Sequence, residues 1–422
     1  MTFVQKIGDD LTLRSLRDES DKDQFATFNT IYNNPHEGAT CACLLHHHPD
    51  MTPDDFWVIE SESTHEIIST TCLIPWNLRF AGLDLRAAQL EMVLTHPEYR
   101  RRGLVRTLMK HFEQAVGERG YDLSIIWGIP FYYRQYGYAY TIEGATVEAL
   151  PVWKIPASSL AAGQSIRLRP ASLADIPCLT RLFDTANDSL DMSARRSPKY
   201  WRYLLEAARH PVEMVEKIET GEVLGYAVIS RSEKAVSILE NGLPDAMTAL
   251  ALLQTLKSQV REQIQISWPG NAPLAVLAHQ LGSQTVPGGQ WLLRIPAIAR
   301  FLLKIRPVFG QRLANSAWRN LSAEITLNLF HEAFRLRFEQ GKVASVDAVG
   351  FVDSSMGADC GHLCIPPEAF LRLLFGYRTL DELFDAWPDI LVKPETRSLL
   401  NTLFPRLQPF LYIPYHDLGV HT

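Results

Sequence analysis

The chain has no surplus of basic residues: 41 Lys and Arg stand against 47 Asp and Glu, a formal net charge of −6 over 422 residues. A nucleic-acid binder needs a basic face to hold the phosphate backbone, so no nucleic-acid partner is expected. A cationic, amine-bearing small molecule remains compatible with that charge. Long apolar runs are also lacking, and none approaches the ~20 residues of a membrane-spanning helix. The N-terminus, MTFVQKIGDD, lacks the basic-then-apolar layout of a signal peptide, so a cytoplasmic protein with no membrane span is expected. Cysteine is scarce. Six in so long a chain make no disulfide framework, and reduced thiols are expected. Cys41-Ala-Cys43 before His46-His47-His48, and Cys360-Gly-His362-Leu-Cys364, are the places to seek a metal. Neither has the paired spacing of a zinc finger, and no metal is expected. The stretch from Asn33 to Met51, which holds the first cluster, reads as a substrate-side loop.

What the chain does have is a stretch from Leu90 to Phe112, LEMVLTHPEYRRRGLVRTLMKHF. Leu90, Met92 and Leu94 alternate with Glu91 and Val93 as in a half-buried strand, and Pro97 removes a backbone donor where the strand must stop. Past Gly103, the residues Leu104, Val105, Leu108, Met109, Phe112 and Val116 fall on one face of a helix starting at Arg102 or Gly103. The unpaired amides of Arg101 to Arg106 then lie at a positive helix end with arginines beside them, and Gly103 carries no Cβ. A diphosphate fits such a cradle on charge and geometry.

Arg100-x-x-Gly103 after Thr95-His96-Pro97 resembles motif A of the GNAT N-acetyltransferases, Gln/Arg-x-x-Gly-x-Gly/Ala following Val-x-Pro. Val105 departs from it, standing where Gly or Ala is usual, and the run RRRGLVR is most similar to the enhanced intracellular survival (Eis) branch. Downstream, Phe131-Tyr132-Tyr133-Arg134-Gln135-Tyr136-Gly137-Tyr138 resembles the Tyr-Tyr-x-x-Phe-Gly-Phe segment of the same fold. By that resemblance Tyr133 meets the departing thiolate of coenzyme A. A phenol, with an ordinary pKa near ~10, stays protonated at neutral pH and suits that role. Read without the resemblance, these tyrosines are core or surface aromatics.

At 46 % hydrophobic over 422 residues the chain is too long for one core and should hold two or three domains. Leu11–Leu16 reads as a first strand, Asp21–Tyr32 as a helix, Phe56–Glu60 as a second strand, with Glu66–Pro75 and Trp76–Phe80 continuing the sheet. This places an α/β layer in residues 1–150 and a Pro/Ala/Ser-rich linker in 151–164. Ile166–Ala171 followed by Asp175–Ala186 weakly repeats the chain's start, so 165–292 reads as a second GNAT-like domain. Its loop Glu240-Asn241-Gly242-Leu243-Pro244-Asp245 has acids where the first copy has arginines, and an acidic loop would repel a diphosphate. In 293–422, Ile325, Leu327 and Leu329, then Phe334, Leu336 and Phe338, alternate as strands of a one-sided sheet, and Pro366-Pro367-Glu368 opens a helix. That order resembles the sterol-carrier-like domain of Eis proteins. The expected fold class is α/β (α+β): tandem mixed-sheet domains followed by a third α+β domain.

The resemblance implies acetyl-CoA as co-substrate, a primary amine as acceptor, and a homo-oligomer, a hexamer. It assigns pantetheine binding to Val93, Leu94 and Thr95, diphosphate binding to Arg101, Arg102, Gly103, Leu104, Val105 and Arg106, and the neighbouring strand opening to Gly128 and Ile129. It makes Tyr133 the acid and the terminal carboxylate, here Thr422, the proton acceptor, although Eis-like chains end on an aromatic residue and this one does not. Glu37 or Asp417 remain alternative acceptors. A non-catalytic lipid- or small-molecule-binding protein, using its third domain, is the other reading open to the sequence.

Overall fold

The computed structural model describes residues 3–144, 146–157, 165–207, 210–232, 235–267, 272–286, 289–354 and 359–412. Thr422 and Asp417 lie outside them. The first sheet begins with β1 (Val4–Lys6) and β2 (Leu11–Ser15) and gains α1 (Glu19–Tyr32) and α2 (Pro35–His47) before β3 (Phe56–Ser61). β4 (Ile67–Phe80) and β5 (Leu83–Thr95) form one long hairpin, where two shorter strands are expected over residues 66–80. α3 (Leu104–Glu118) then crosses to β6 (Leu123–Ile126), which lies parallel to β5, and β7 (Ala139–Glu143) follows.

Strand residues alternate between two apolar clusters. Phe56 and Val58 join Phe25, Phe28, Cys41 and Leu44 under α1 and α2, while Trp57 and Ile59 join Leu108, Met109 and Phe112 under α3. The two helix layers therefore cover opposite faces of the sheet.

The stretch 33–51 is largely a helix and not the expected loop. Asn34 caps α2 by accepting from the Glu37 amide at 2.9 Å, and Pro35 occupies its first turn. Gly38 lets α2 pack hard against α1, because a Cβ there would meet Thr30 Oγ1 at 1.7 Å.

The second sheet comprises β8 (Val147–Pro151), β9 (Ile166–Pro170), β11 (Val212–Lys217), β12 (Val223–Arg231), β13 (Ala235–Gly242), β14 (Gln263–Ser267) and β15 (Gln284–Val286). Its helices are α4 (Ile176–Ala186), α5 (Pro198–Glu206), α6 (Ala246–Lys257) and α7 (Pro273–Gln280). β13, α6 and β14 repeat the parallel crossover of β5, α3 and β6. The two sheets do not part at residues 150 and 292. β8 pairs with β14 in the second sheet, whereas β16 (Gln290–Arg294) returns to lie between β6 and β7, and the short β10 (Met192–Ala194) pairs with β4.

After α8 (Ile298–Lys304) and α9 (Arg306–Ala314) comes a five-stranded sheet of β17 (Ala323–Asn328), β18 (Ala333–Glu339), β19 (Lys342–Gly350), β20 (Leu363–Cys364) and β21 (Leu391–Val392). It carries α10 (Pro367–Leu374), α11 (Leu380–Ala386) and α12 (Arg397–Leu403). Phe334, Leu336 and Phe338 are buried while Arg335 and Arg337 are exposed, the alternation a one-sided sheet requires. The chain then returns to the first sheet. Phe410 N donates to Met192 O, Leu411 N to Glu143 O, and Trp291 Nε1 to Leu411 O at 3.2 Å.

No helix among the described residues is long and apolar enough to cross a membrane. Nor does any group of three or more His, Cys, Asp or Glu side chains among them sit where it would hold a metal.

Candidate active site

β6 pairs with β5 only through Ala87 to Gln89, so Leu90–Thr95 is left without a strand on that side among the described residues. Unpaired strand amides seek a partner, and here they face a cavity of about 510 Å³. Of the residues singled out in the sequence, Val93, Leu94, Thr95, Arg101, Gly103, Leu104, Val105, Arg106, Ile129 and Tyr133 line it. Two do not. Arg102 lays its guanidinium over the Tyr99 ring, 4.7 Å from the centroid, and Gly128 stands behind Tyr133.

The floor of the cavity is the start of α3. Gly103 is its N-cap with φ 80°, and Arg101, two residues earlier, holds φ 65°, a left-handed conformation that costs a non-glycine residue on the order of 1 kcal/mol or more. The first intrahelical bond runs from Thr107 N to Gly103 O, which leaves the amides of Leu104, Val105 and Arg106 aimed out of the helix end. With Arg101 and Arg106 at the rim and no acid in the first turn, this end offers positive charge and free donors together. The matching crossover of the second sheet offers neither. Asp245 caps α6 by accepting from the Thr248 amide, and the arginines are absent. Glu240 itself is no repelling surface charge. It is fully buried, accepts from both Arg196 amino groups at 2.6 and 2.7 Å, and accepts from the Tyr226 hydroxyl. An ion pair, not an acidic loop, fills that position.

Tyr133 sits in a short 3-10 turn, Tyr132–Tyr136, set by Phe131 at φ 70° and ended by Gly137 at φ 79°. A Cβ on Gly128 would fall 2.3 Å from Tyr133 Cδ2, so only glycine lets this ring reach its place. The ring is 6 % exposed and packs edge-on against Tyr132 and Tyr138. Burial, with a smaller contribution from the negative charge of Glu91, pushes its phenol well above the ordinary tyrosine range. It is therefore a hydrogen-bond donor throughout the physiological range. Arg134, next in sequence, is held by Glu368 of α10 and lies over the Phe131 ring.

Glu91 was not among the residues singled out. It lies on β5 where the register against β4 shifts, because Met92 adopts φ 56° and forms a bulge opposite Thr71. The bulge turns Glu91 and Met92 to the same face, toward α2, where Cys41 Sγ contacts Met92 Sδ at 3.2 Å. Gln89 Nε2 donates to Glu91 Oε2 at 2.7 Å, and Gln89 Oε1 in turn accepts from Trp76 Nε1. Burial raises the Glu91 carboxyl to about 7, opposed by the Gln89 bond and assisted by Glu37. No spacing signalled this. In sequence Glu91 is the polar partner in an ordinary alternation, and its burial comes from α2, itself unexpected.

Residues 12–141 match the family model described as an acetyltransferase (GNAT) domain. No curated protein sequence matches the chain significantly. Among solved structures, a GCN5-related N-acetyltransferase from Anabaena variabilis is 17 % identical with a TM-score of 0.69, covering 95 % of this chain and 99 % of its own. A probable N-acyltransferase from Enterococcus faecalis is 16 % identical at 0.70, covering 97 % and 99 %. Eis1 from Mycobacterium abscessus is 16 % identical at 0.61, covering 95 % and 99 %. At such identities these likenesses speak for the fold, along nearly the whole chain. The chain thus carries a GNAT acetyltransferase domain in residues 12–141, and it is an acyltransferase.

Proposed function

We propose that the chain transfers an acetyl group from acetyl-CoA to a primary amine of a small cationic molecule, of aminoglycoside or polyamine type, or to a lysine side chain. The observation that carries this reading is the cradle: the β5 edge at Val93–Thr95, unpaired where β6 has left it, the free helix-end amides at Leu104–Arg106 and two rim arginines line one cavity with Tyr133. The strand amides suit the pantetheine arm and the helix end suits the diphosphate. Tyr133 donates to the sulfur as C–S cleavage leaves charge there. Aligning amine and thioester supplies much of the rate, with effective molarities of about 10⁵ M or more for well-held groups. Two carboxylates, Glu37 and Glu91, lie close enough on the α2 side to feel each other's charge, which suits a cation. Thiol release from acetyl-CoA with spermidine, kanamycin and a blocked lysine peptide tests the reading. Acceptor-dependent release is expected with at least one of them, and hydrolysis at the same rate with and without acceptor contradicts it.

A further inference from the structure

The reaction needs a group to take a proton from the ammonium form of the acceptor before nitrogen can attack. Tyr133 cannot be that group, since it enters the step as a donor. The sheet separates the two tasks in space. α3 and its helix end lie on one face, and α1 and α2 lie on the other, with the open edge of β5 between them. That open edge is reached from both faces, and the α2 side is the one that carries neither the helix end nor Tyr133.

We propose that Glu91 accepts the proton of the incoming ammonium ion, with Glu37 beside it attracting the cation. The inference rests on the acetyl-transfer reading above and deepens it by naming the residue that handles the acceptor. Three features place Glu91 for this work. The bulge at Met92 points it to the α2 face at the position where β6 has left β5. Gln89, fixed by the Trp76 indole, donates to one carboxylate oxygen, Oε2, at 2.7 Å, and the Met92 backbone also bonds the carboxylate, so the group is held in one orientation. Glu37 reaches the same face because Gly38 lets α2 close on α1.

One ammonium proton passes to Glu91, the neutral nitrogen forms the C–N bond, and the C–S bond breaks. Sulfur takes the Tyr133 proton, and the surplus proton on nitrogen returns to the phenolate directly or through water. Glu91 then loses its proton to solvent, so each turnover releases one amide, one thiol and one proton.

The groups facing Glu91 are Glu37 and Cys41 from α2, Cys72 from β4, and Tyr133. Burial keeps both thiols well above their ordinary range, and Tyr133 is raised in the same way, so none of these three titrates with Glu91 near neutrality. With the carboxyl at about 7, kcat/KM falls as the pH drops below 7 and Glu91 becomes protonated.

The test is Glu91→Gln and Glu91→Asp, assayed with the fastest acceptor among spermidine, kanamycin and a blocked lysine peptide, beside calorimetric titration of acetyl-CoA. Expected are a loss of kcat/KM of about 10²-fold or more in Glu91→Gln, disappearance of the acidic limb near pH 7, partial recovery in Glu91→Asp, and unchanged acetyl-CoA affinity. An equal loss at every pH with the limb preserved assigns Glu91 a packing role and overturns the proposal. Near-normal turnover in Glu91→Gln also overturns it and moves the search to a carboxylate outside the described residues, such as that of Thr422. Failure of the native protein to bind acetyl-CoA would instead sink the acetyl-transfer reading.

Discussion

Tyr133 shows how three residues combine at one atom. Gly128 makes room for its ring, Phe131 and Gly137 adopt left-handed backbone to form its turn, and burial keeps its phenol protonated. Substituting Tyr133→Phe removes the hydroxyl and keeps the packing. Turnover should fall about 10²-fold while acetyl-CoA affinity and melting temperature stay close to native. Steady-state kinetics beside calorimetry checks this, and near-normal kcat would pass the donor role to another group such as Tyr132. Legibility at this scale divided sharply. The cradle and Tyr133 were readable because their chemistry is local: a strand, an arginine turn, a glycine and a helix start lie within one short run. Glu91 was not, since its altered carboxyl depends on neighbours 54 residues away on α2, and alternation alone says nothing of what lies across a strand.

Among elements, α10 reaches the turn that carries Tyr133. Glu368 accepts from Arg134 Nε at 3.1 Å and from Arg372, tying the turn that carries Tyr133 to a distant part of the chain. The pair is partly solvated, so its worth as stability is only roughly 0.5–1 kcal/mol. Its worth as alignment is greater, because a small displacement of Tyr133 misplaces the donor. Glu368→Ala should lower kcat several-fold with little change in melting temperature, and Arg134→Glu with Glu368→Arg should recover part of the loss. A double-mutant cycle with no coupling in kcat would deny the link. Element reading failed where local signals conflicted. Pro35, Gly38 and the His run hid α2, although Asn34 and Pro35 are an ordinary cap and first turn. Strand exchange was illegible for another reason: Gln290–Arg294 reads as a strand of either sheet, and only long-range packing assigns it to the first.

For the whole molecule, the first and second sheets are joined by shared strands and by a buried aromatic contact at the end of α2. His48 lies against Tyr200 and Tyr203 of α5, and its Nδ1 accepts from the Asp50 amide. Burial lowers its pKa to about 4, so the native ring stays neutral where an unfolded chain would be protonated. The unfolded state then binds the extra proton, and stability falls as the pH drops from about 6.5 to about 4. The full loss is roughly 3 kcal/mol. His48→Phe should flatten that part of the stability curve in denaturant melts at pH 7, 5.5 and 4.5. An unchanged acid slope would place the destabilisation elsewhere.

The repeat of parallel crossovers makes one end of the molecule a cradle and leaves its counterpart closed by Asp245 and the Glu240–Arg196 pair. Acetyl-CoA should accordingly bind once per chain, at the first crossover. Isothermal titration of native protein and of the Arg101→Gly, Arg106→Ala and Arg102→Ala variants measures this directly. Each charge-assisted contact is worth roughly 1.5–3 kcal/mol, so the first two variants should each raise Kd by about tenfold or more. Arg102→Ala, whose side chain rests on Tyr99, should change it little. No heat of binding in the native protein, or equal affinity in all four, would contradict the assignment of this cavity to acetyl-CoA.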